Sequence, residues 1–243
     1  MRRWLIAVLS AVFVSLTGLP VRAVVETGGT IAVDTTWTNR DTVVVSSMVI
    51  VSDNCCLTIQ AGTIVQFVPS MSFYVIGEVV AEGGTGERIV FTVRSDTVGG
   101  DPSAGAWNGL TFMEQSRGTF KYCDFRYGLN NVFVNNAEVS FYECCSEDFV
   151  LGGIYVNGSA TDHPKLTTID RCTIRQTDPA RRGSGVGVFV YYAARVDVYR
   201  SRISACQNGI EMYGTGVYIP RYKIANCDIF DNAEKGIYVH PGG

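Results

Sequence analysis

Between residues 118 and 240 the hydrophobic positions repeat five times. One half of the repeat is apolar-x-x-Cys/Ser-x-apolar: Phe120 to Cys123 to Phe125, Phe141 to Cys144 to Ser146, Ile169 to Cys172 to Ile174, Val198 to Ser201 to Ile203, and Ile224 to Cys227 to Ile229. The other half is a small or polar residue followed by apolar-x-apolar: Asn131 before Val132 and Val134, Gly153 before Ile154 and Val156, Gly187 before Val188 and Val190, Gly209 before Ile210 and Met212, and Gly236 before Ile237 and Val239. The Cys/Ser positions are 21, 28, 29 and 26 residues apart, a mean of 26. From each Cys/Ser to the next apolar pair the gap is 9, 10, 16, 9 and 10 residues, so the third unit carries an insertion. Every run alternates with period two, and no helical period is present. Strands this short cannot form a core alone, but coils stacked in parallel can. Apolar-x-x-Cys breaks the alternation, so both residues face inward only if the chain turns a corner between them. The glycine before the second apolar pair is expected to supply a corner with positive φ.

The first half has the same texture with less regularity. Runs rich in Val, Ile and Phe cover Thr42–Val45, Met48–Val51, Leu57–Ile59, Thr63–Val68, Ser72–Ile76 and Arg88–Val93, with Gly62, Gly77, Gly83, Gly84 and Gly86 between them. No proline-rich linker separates the halves. The pattern therefore predicts an all-β solenoid of about eight coils, as one domain over 24–243, irregular to 112 and regular from 113. At ~4.8 Å per coil the rod would be roughly 40 Å long.

Residues 1–23 read as a secretory signal. Arg2 and Arg3 precede an uncharged apolar run from Trp4 to Leu19, and Val21 and Ala23 are the small residues of a cleavage site after Ala23. The run is shorter than the ~20 residues of a spanning helix, and nothing later is long and apolar enough to span a bilayer. The expectation is a secreted or cell-surface protein with no transmembrane segment after cleavage. At the other end, His240 to Gly243 follow a strand-like run with no cap, so either this tail covers the last layer or the chain is a piece of a longer one.

Charge and composition narrow the chemistry. The chain has 243 residues, a formal charge of −3, 18% charged residues and 2 His. That leaves no basic field for nucleic acid. HExxH, GxSxG and GxxxxGK[ST] are absent, which removes zincins, α/β-hydrolases and P-loop enzymes. Eight Cys in an exported chain suggest disulfides. The repeat instead places Cys123, Cys144, Cys172 and Cys227 in one file, with Ser201 as the fifth member. Neighbours in register ~4.8 Å apart are too distant for easy bridging, so a buried thiol ladder is expected. Without CxxC, and with neither His near a Cys, no metal site is expected.

The residues between the inward apolar pairs face out. They are Phe133, Tyr155, Phe189, Glu211 and Tyr238, and two places on come Asn135, Asn157, Tyr191, Tyr213 and His240. The matching positions on the other strand, Asp124, Cys145, Thr173, Arg202 and Asp228, form an ordinary polar face. A row of aromatic rings offers a platform for sugar rings, or else it stacks on itself to stabilise the sheet. Phe133, Tyr155, Phe189, Tyr191, Glu211, Tyr213 and Tyr238 are the candidate glycan-binding residues. The insertion from Arg175 to Gly185 leads into the strand of Phe189 and Tyr191. The loop from Asn157 to Lys165 is expected at the same strand edge. Together Asp162, His163, Asp178, Arg181 and Arg182 would line one end of the aromatic row.

The stretch from Leu57 to Phe67, with Val75-Ile-Gly77, Ile89-Val-Phe-Thr92 and Trp107-Asn-Gly109-Leu-Thr-Phe112, resembles secreted bacterial right-handed parallel β-helix repeat proteins of the pectate-lyase-like superfold. The likeness covers about residues 30–240. It implies the coil architecture and leaves activity open, because the superfold hosts lyases, hydrolases, epimerases, adhesins and inert surface proteins. A lyase would need a base, a cation and, in related folds, Ca²⁺, with Asp162, His163, Arg181 and Arg182 as candidate catalytic residues. A glycosidase would need two carboxylates about the bond. The Gly-His-Gly and paired-Asp signatures of polygalacturonase-like members are missing, as are runs of outward Asp on adjacent coils. The leading expectation is a non-catalytic glycan-binding or adhesin-like module with no cofactor and a polysaccharide or cell-surface glycan as partner. The alternatives are a lyase or hydrolase acting on acidic polysaccharide, and a structural spacer.

Overall fold

The computed structural model describes residues 23–39, 41–160 and 164–240; the leader and its cleavage site, apart from Ala23, lie outside them. Among the described residues the chain winds through three parallel sheet faces, in eight coils, as a right-handed parallel β-helix. Face 1 begins with Thr35–Trp37 and ends with Arg221–Ala225. Face 2 runs from the first half of Asp41–Val51 to Asp228–Phe230, and face 3 from its second half to Lys235–Val239. The long first strand thus serves two faces before corners divide the later coils. Ala23–Ile31 pairs parallel with it as an outer edge strand.

The register is the one the repeat predicts. Phe120, Phe141, Ile169, Val198 and Ile224 form one column. Phe125, Ser146, Ile174, Ile203 and Ile229 form a second, and Val132, Ile154, Val188, Ile210 and Ile237 a third. Their side chains point to the axis, so burial comes from layer on layer. Rings fill the wide early layers: Phe67 stacks on Trp107 at 3.9 Å, Phe91 on Phe125 at 5.0 Å and Phe120 on Phe141 at 5.4 Å. From the sixth coil the same columns carry mostly Val and Ile.

The corner expected inside apolar-x-x-Cys is present, and its residue is not glycine. Tyr122, Glu143, Arg171, Arg200 and Asn226 hold φ of 50, 53, 56, 46 and 57°. Left-handed backbone costs such residues roughly 1–2 kcal/mol each. The stack holds them there. Tyr122, Glu143 and Arg171 donate their N–H to the next coil at Tyr142, Asp170 and Tyr199, each at 3.0 Å. The following thiol or hydroxyl then reaches back across the corner. Cys123 donates to Lys121 O at 3.4 Å, Cys144 to Tyr142 O at 3.4 Å, Cys172 to Asp170 O at 3.4 Å and Ser201 to Tyr199 O at 2.7 Å. The position therefore wants a small donor, which is why Ser and Cys exchange there. Cys206 repeats the arrangement after Ala205, donating to Ser204 O at 3.3 Å. All eight cysteines are unbridged. Burial pushes the Cys123 and Cys172 thiols well up, with a hydrogen bond to Cys144 adding to it.

Gly153, Gly187, Gly209 and Gly236 were expected to make corners, and none has positive φ. They allow coils to approach. A Cβ on Gly187 would lie 2.5 Å from Gly209 O and 2.5 Å from Ile203 Cγ2, and one on Gly209 would lie 2.5 Å from Gly236 O. In the fourth coil the place is taken by Asn131, whose Nδ2 donates to Phe125 O at 2.9 Å and Glu147 O at 2.8 Å.

Face 2 also departs from the ordinary polar face expected. Asp124 is buried beneath Arg88, whose Nε donates to its Oδ1 at 2.7 Å. The same guanidinium donates to Glu143 O at 3.0 Å, and Arg126 lies 3.4 Å from the second oxygen of Asp124.

Two outcomes follow from this packing. Gly187→Ala destabilises the chain by about 1–3 kcal/mol through overpacking, while Gly84→Ala, where a Cβ meets nothing within 4 Å, changes stability by less than about 0.5 kcal/mol in urea unfolding. The second concerns pH. Burial pushes the Cys206 thiol from 9.0 up to about 12. Its folded proton is held more tightly than its unfolded one, so the stability it contributes is intact below pH 9 and is lost as pH rises toward 12. The loss is about 1.4 kcal/mol per pH unit in that window. Under reducing conditions, melting temperature should fall less steeply above pH 9 in Cys206→Ser than in wild type; parallel curves would refute this.

Candidate functional site

Face 3 presents two outward columns, because alternate residues of a strand point the same way and parallel register repeats them coil by coil. Phe133, Tyr155, Phe189, Glu211 and Tyr238 form one column; Asn135, Asn157, Tyr191 and Tyr213 form the other. His240 continues the second, its N–H donating to Met212 O at 2.9 Å. The rings touch along the whole row. Centroids are 4.9 Å apart for Phe133 and Tyr155, 4.7 Å for Tyr155 and Phe189, and 6.2 Å for Phe189 and Tyr191. The row continues through Tyr191 and Tyr213 at 5.5 Å, Tyr213 and His240 at 4.9 Å, and His240 and Tyr238 at 4.2 Å. Phe133, Tyr155, Phe189 and Tyr191 are half-buried, and Tyr213 is exposed. Burial pushes the Tyr155 hydroxyl up, with the nearby Tyr191 adding to it.

The polar members are already engaged. Glu211 lies 2.6 Å from His240 Nε2 and accepts from Asn208 Nδ2 at 2.8 Å. Asn157 Nδ2 donates to Asn135 Oδ1 at 2.7 Å. Two rings not expected in the row extend it around the corner. Tyr192 stacks on Tyr218 at 4.6 Å and lies 6.2 Å from Tyr191. The Tyr191-Tyr192 doublet was the available sequence signal. Tyr218 sits in a loop outside the repeat, beside the exposed Val217 and Ile219.

The two loops expected at one edge lie at opposite edges. The insertion connects face 2 to face 3, and the loop after Asn157 connects face 3 to face 1. Each coil crosses the faces in order, so a loop entering face 3 and a loop leaving it are separated by the strand Val186–Tyr191, roughly 20 Å at ~3.3 Å per residue. Asp162 and His163 lie outside the described residues. Asp178 caps the short 3₁₀ turn Pro179–Arg181, its Oδ1 accepting from Ala180 N at 2.9 Å. Arg181 packs inward, with Nη2 3.2 Å from Phe149 O, while Arg182 is exposed. Beneath them the buried Asp148 accepts from Thr177 N at 2.7 Å and Asp178 N at 3.0 Å.

Concavity lies elsewhere. A shallow groove of about 390 Å³ follows the outward side of face 1, where Thr119, Ser140 and Thr168 line up between Glu78, Arg117 and Glu138. A second groove, of about 430 Å³, adjoins it through Glu78 and Arg117 and reaches Asp34, Asp53 and Cys56. Sequence reasoning missed both, since single Thr and Ser residues in strands carry no signal and the second groove gathers residues from separate coils. Among the described residues no three His, Cys, Asp or Glu side chains gather closely enough to hold a metal ion, and no helix is long and apolar enough to cross a membrane.

The model of the family described as right handed beta helix region matches residues 104–243, more than half the chain and all of its regular coils. The chain belongs to the right-handed β-helix family. Comparison with curated proteins and with solved structures found no match. Membership accounts for the coil architecture. In this β-helix the functional surface must be read from the outward side chains.

The insertion's arginines are expected to separate by role. Arg181→Ala should lower stability by about 1 kcal/mol, because it removes a charged donor from Phe149 O, and Arg182→Ala should leave the melting curve unchanged. Equal effects would show that the insertion is not packed as described.

Proposed function

We propose that this β-helix is an exported, non-catalytic module that binds a polysaccharide or cell-surface glycan along face 3. One observation carries the reading: outward rings from successive coils touch without a break from Phe133 to Tyr238. At ~4.8 Å per coil and two columns per strand, the strip is roughly 20 Å long and 7 Å wide. A sugar presents apolar C–H faces and hydroxyl edges. Half-exposed rings would supply the first contact, and the Tyr hydroxyls, Asn135 and Asn157 the second. A glycan lying along the rod would meet the same spacing at every coil, so many weak contacts would add.

The test is a glycan array probed with wild type and with Tyr155→Ala plus Tyr191→Ala. Each lost ring contact costs about 0.5–1.5 kcal/mol of fold stability, so circular dichroism must first show the variant folded. Binding should fall at least about tenfold, equivalent to 1.4 kcal/mol. Equal binding by both proteins, or none by either, rejects the reading. Unsaturated uronate released from acidic polysaccharide, with or without Ca²⁺, would replace it with the lyase alternative. Export predicts a secreted product whose intact mass starts at Val24.

A further inference from the structure

Face 1 carries an outward row of a different kind from the rings of face 3. Its floor is a file of hydroxyls. Thr119, Ser140 and Thr168 are register partners on successive coils, while Phe120, Phe141 and Ile169 beside them point to the axis. These short side chains leave the groove of about 390 Å³, walled on one side by Glu78, Arg117 and Glu138. A volume of this size suits a small ligand or a segment of a chain. The four strands that carry the groove, from Glu78–Glu82 to Leu166–Asp170, span roughly 14 Å along the rod at ~4.8 Å per coil.

The wall charges add an independent sign. Arg117 is the register partner of Glu78 on one side and of Glu138 on the other. Yet among the described residues none of the three side chains forms an ion pair or a hydrogen bond. Elsewhere opposite charges in register do close. Lys121 lies 2.6 Å from Glu82 on the same strands, and Arg175 lies 2.8 Å from Glu147 on face 2. The hydroxyls of Thr119, Ser140 and Thr168 likewise make no hydrogen bond among the described residues. The groove therefore presents a guanidinium fork of donors, two carboxylates that accept, and three hydroxyls that do either, all unused by the chain itself.

Their signs select the ligand. An anionic group reaching Arg117 would meet a carboxylate one coil away on each side, and a cationic group between the carboxylates would meet Arg117. A neutral chain of neighbouring hydroxyls avoids both conflicts. Its hydroxyl pairs donate to Glu78 and Glu138, and its remaining oxygens accept from Arg117 and from the floor. Among the described residues no aromatic ring lines this groove, so a sugar here would be held by its polar edges and not by its faces.

We propose that face 1 is a second glycan site, which holds a neutral, hydroxyl-rich sugar chain along the rod by hydrogen bonds. It does not rest on binding at face 3, and either site can exist without the other.

Amide NMR of the full chain, titrated with tetramers of β-linked glucose, xylose and mannose, tests this. At least one tetramer should shift the amides of 117–119, 138–140 and 166–168. The shifts should persist in Tyr155→Ala plus Tyr191→Ala, which removes rings from face 3. Thr119→Val and Thr168→Val with Ser140→Ala removes the floor hydroxyls while keeping residues that strands accept, so circular dichroism should not change. Affinity at face 1 should fall at least about tenfold in that variant, and about tenfold in Arg117→Ala, whose exposed side chain makes no bond that folding needs. No shift at face 1 with any neutral tetramer, or shifts that survive loss of the hydroxyls and of Arg117, would overturn the proposal. Tighter binding there of galacturonic acid or glucosamine tetramers would overturn it too. Shifts confined to face 3 would reject this site and leave the aromatic strip standing; shifts confined to face 1 would uphold it and count against the strip.

Discussion

Parallel stacking in register governs this molecule. Each strand must present its backbone to the strand one coil below and one coil above at ~4.8 Å, so whatever a residue does in one coil its column mates must tolerate in the next. Inward columns therefore become largely apolar files, broken at Ser146, and outward columns become rows of mostly like side chains. Corners obey the same rule. Tyr122, Glu143, Arg171, Arg200 and Asn226 share a left-handed conformation that each alone would avoid, because leaving it would break the strand ladder.

That constraint explains the unusual use of cysteine. At the corner after face 1 the chain needs a side chain small enough for the axis and able to donate to the carbonyl two residues back. Cys123, Cys144, Cys172 and Cys227 meet the need as thiols and Ser201 as a hydroxyl. The ladder is a packing device, and burial holds the protons of Cys123 and Cys172. Glycine follows the same logic in the other half of the repeat, where the close approach of a neighbouring carbonyl excludes a Cβ.

The surface inherits the order of the core. On face 3 the repetition of aromatic residues produces one connected strip, and mutual ring contact limits how freely each ring can turn. A preorganised strip loses little entropy when a ligand settles on it.

Much of this was legible in the linear order of residues. Period-two runs, the 26-residue mean spacing and the two half-motifs determined a stacked coil, its register, its inward files and the outward aromatic row, because a repeat leaves only one way to superimpose its units. Contacts between coils or across corners could be decided only by the folded chain. Arg88 covers Asp124 from 36 residues away, which turned an expected surface acid into a buried one. The corner went to the residue before the Cys, and the glycines went to close approach, because backbone conformation depends on what the neighbouring coil demands. The loops at 157–165 and 175–185 were placed on opposite edges by the order in which a coil visits its faces. Local sequence determines which side of a strand a residue faces; its neighbours in space are chosen by the winding.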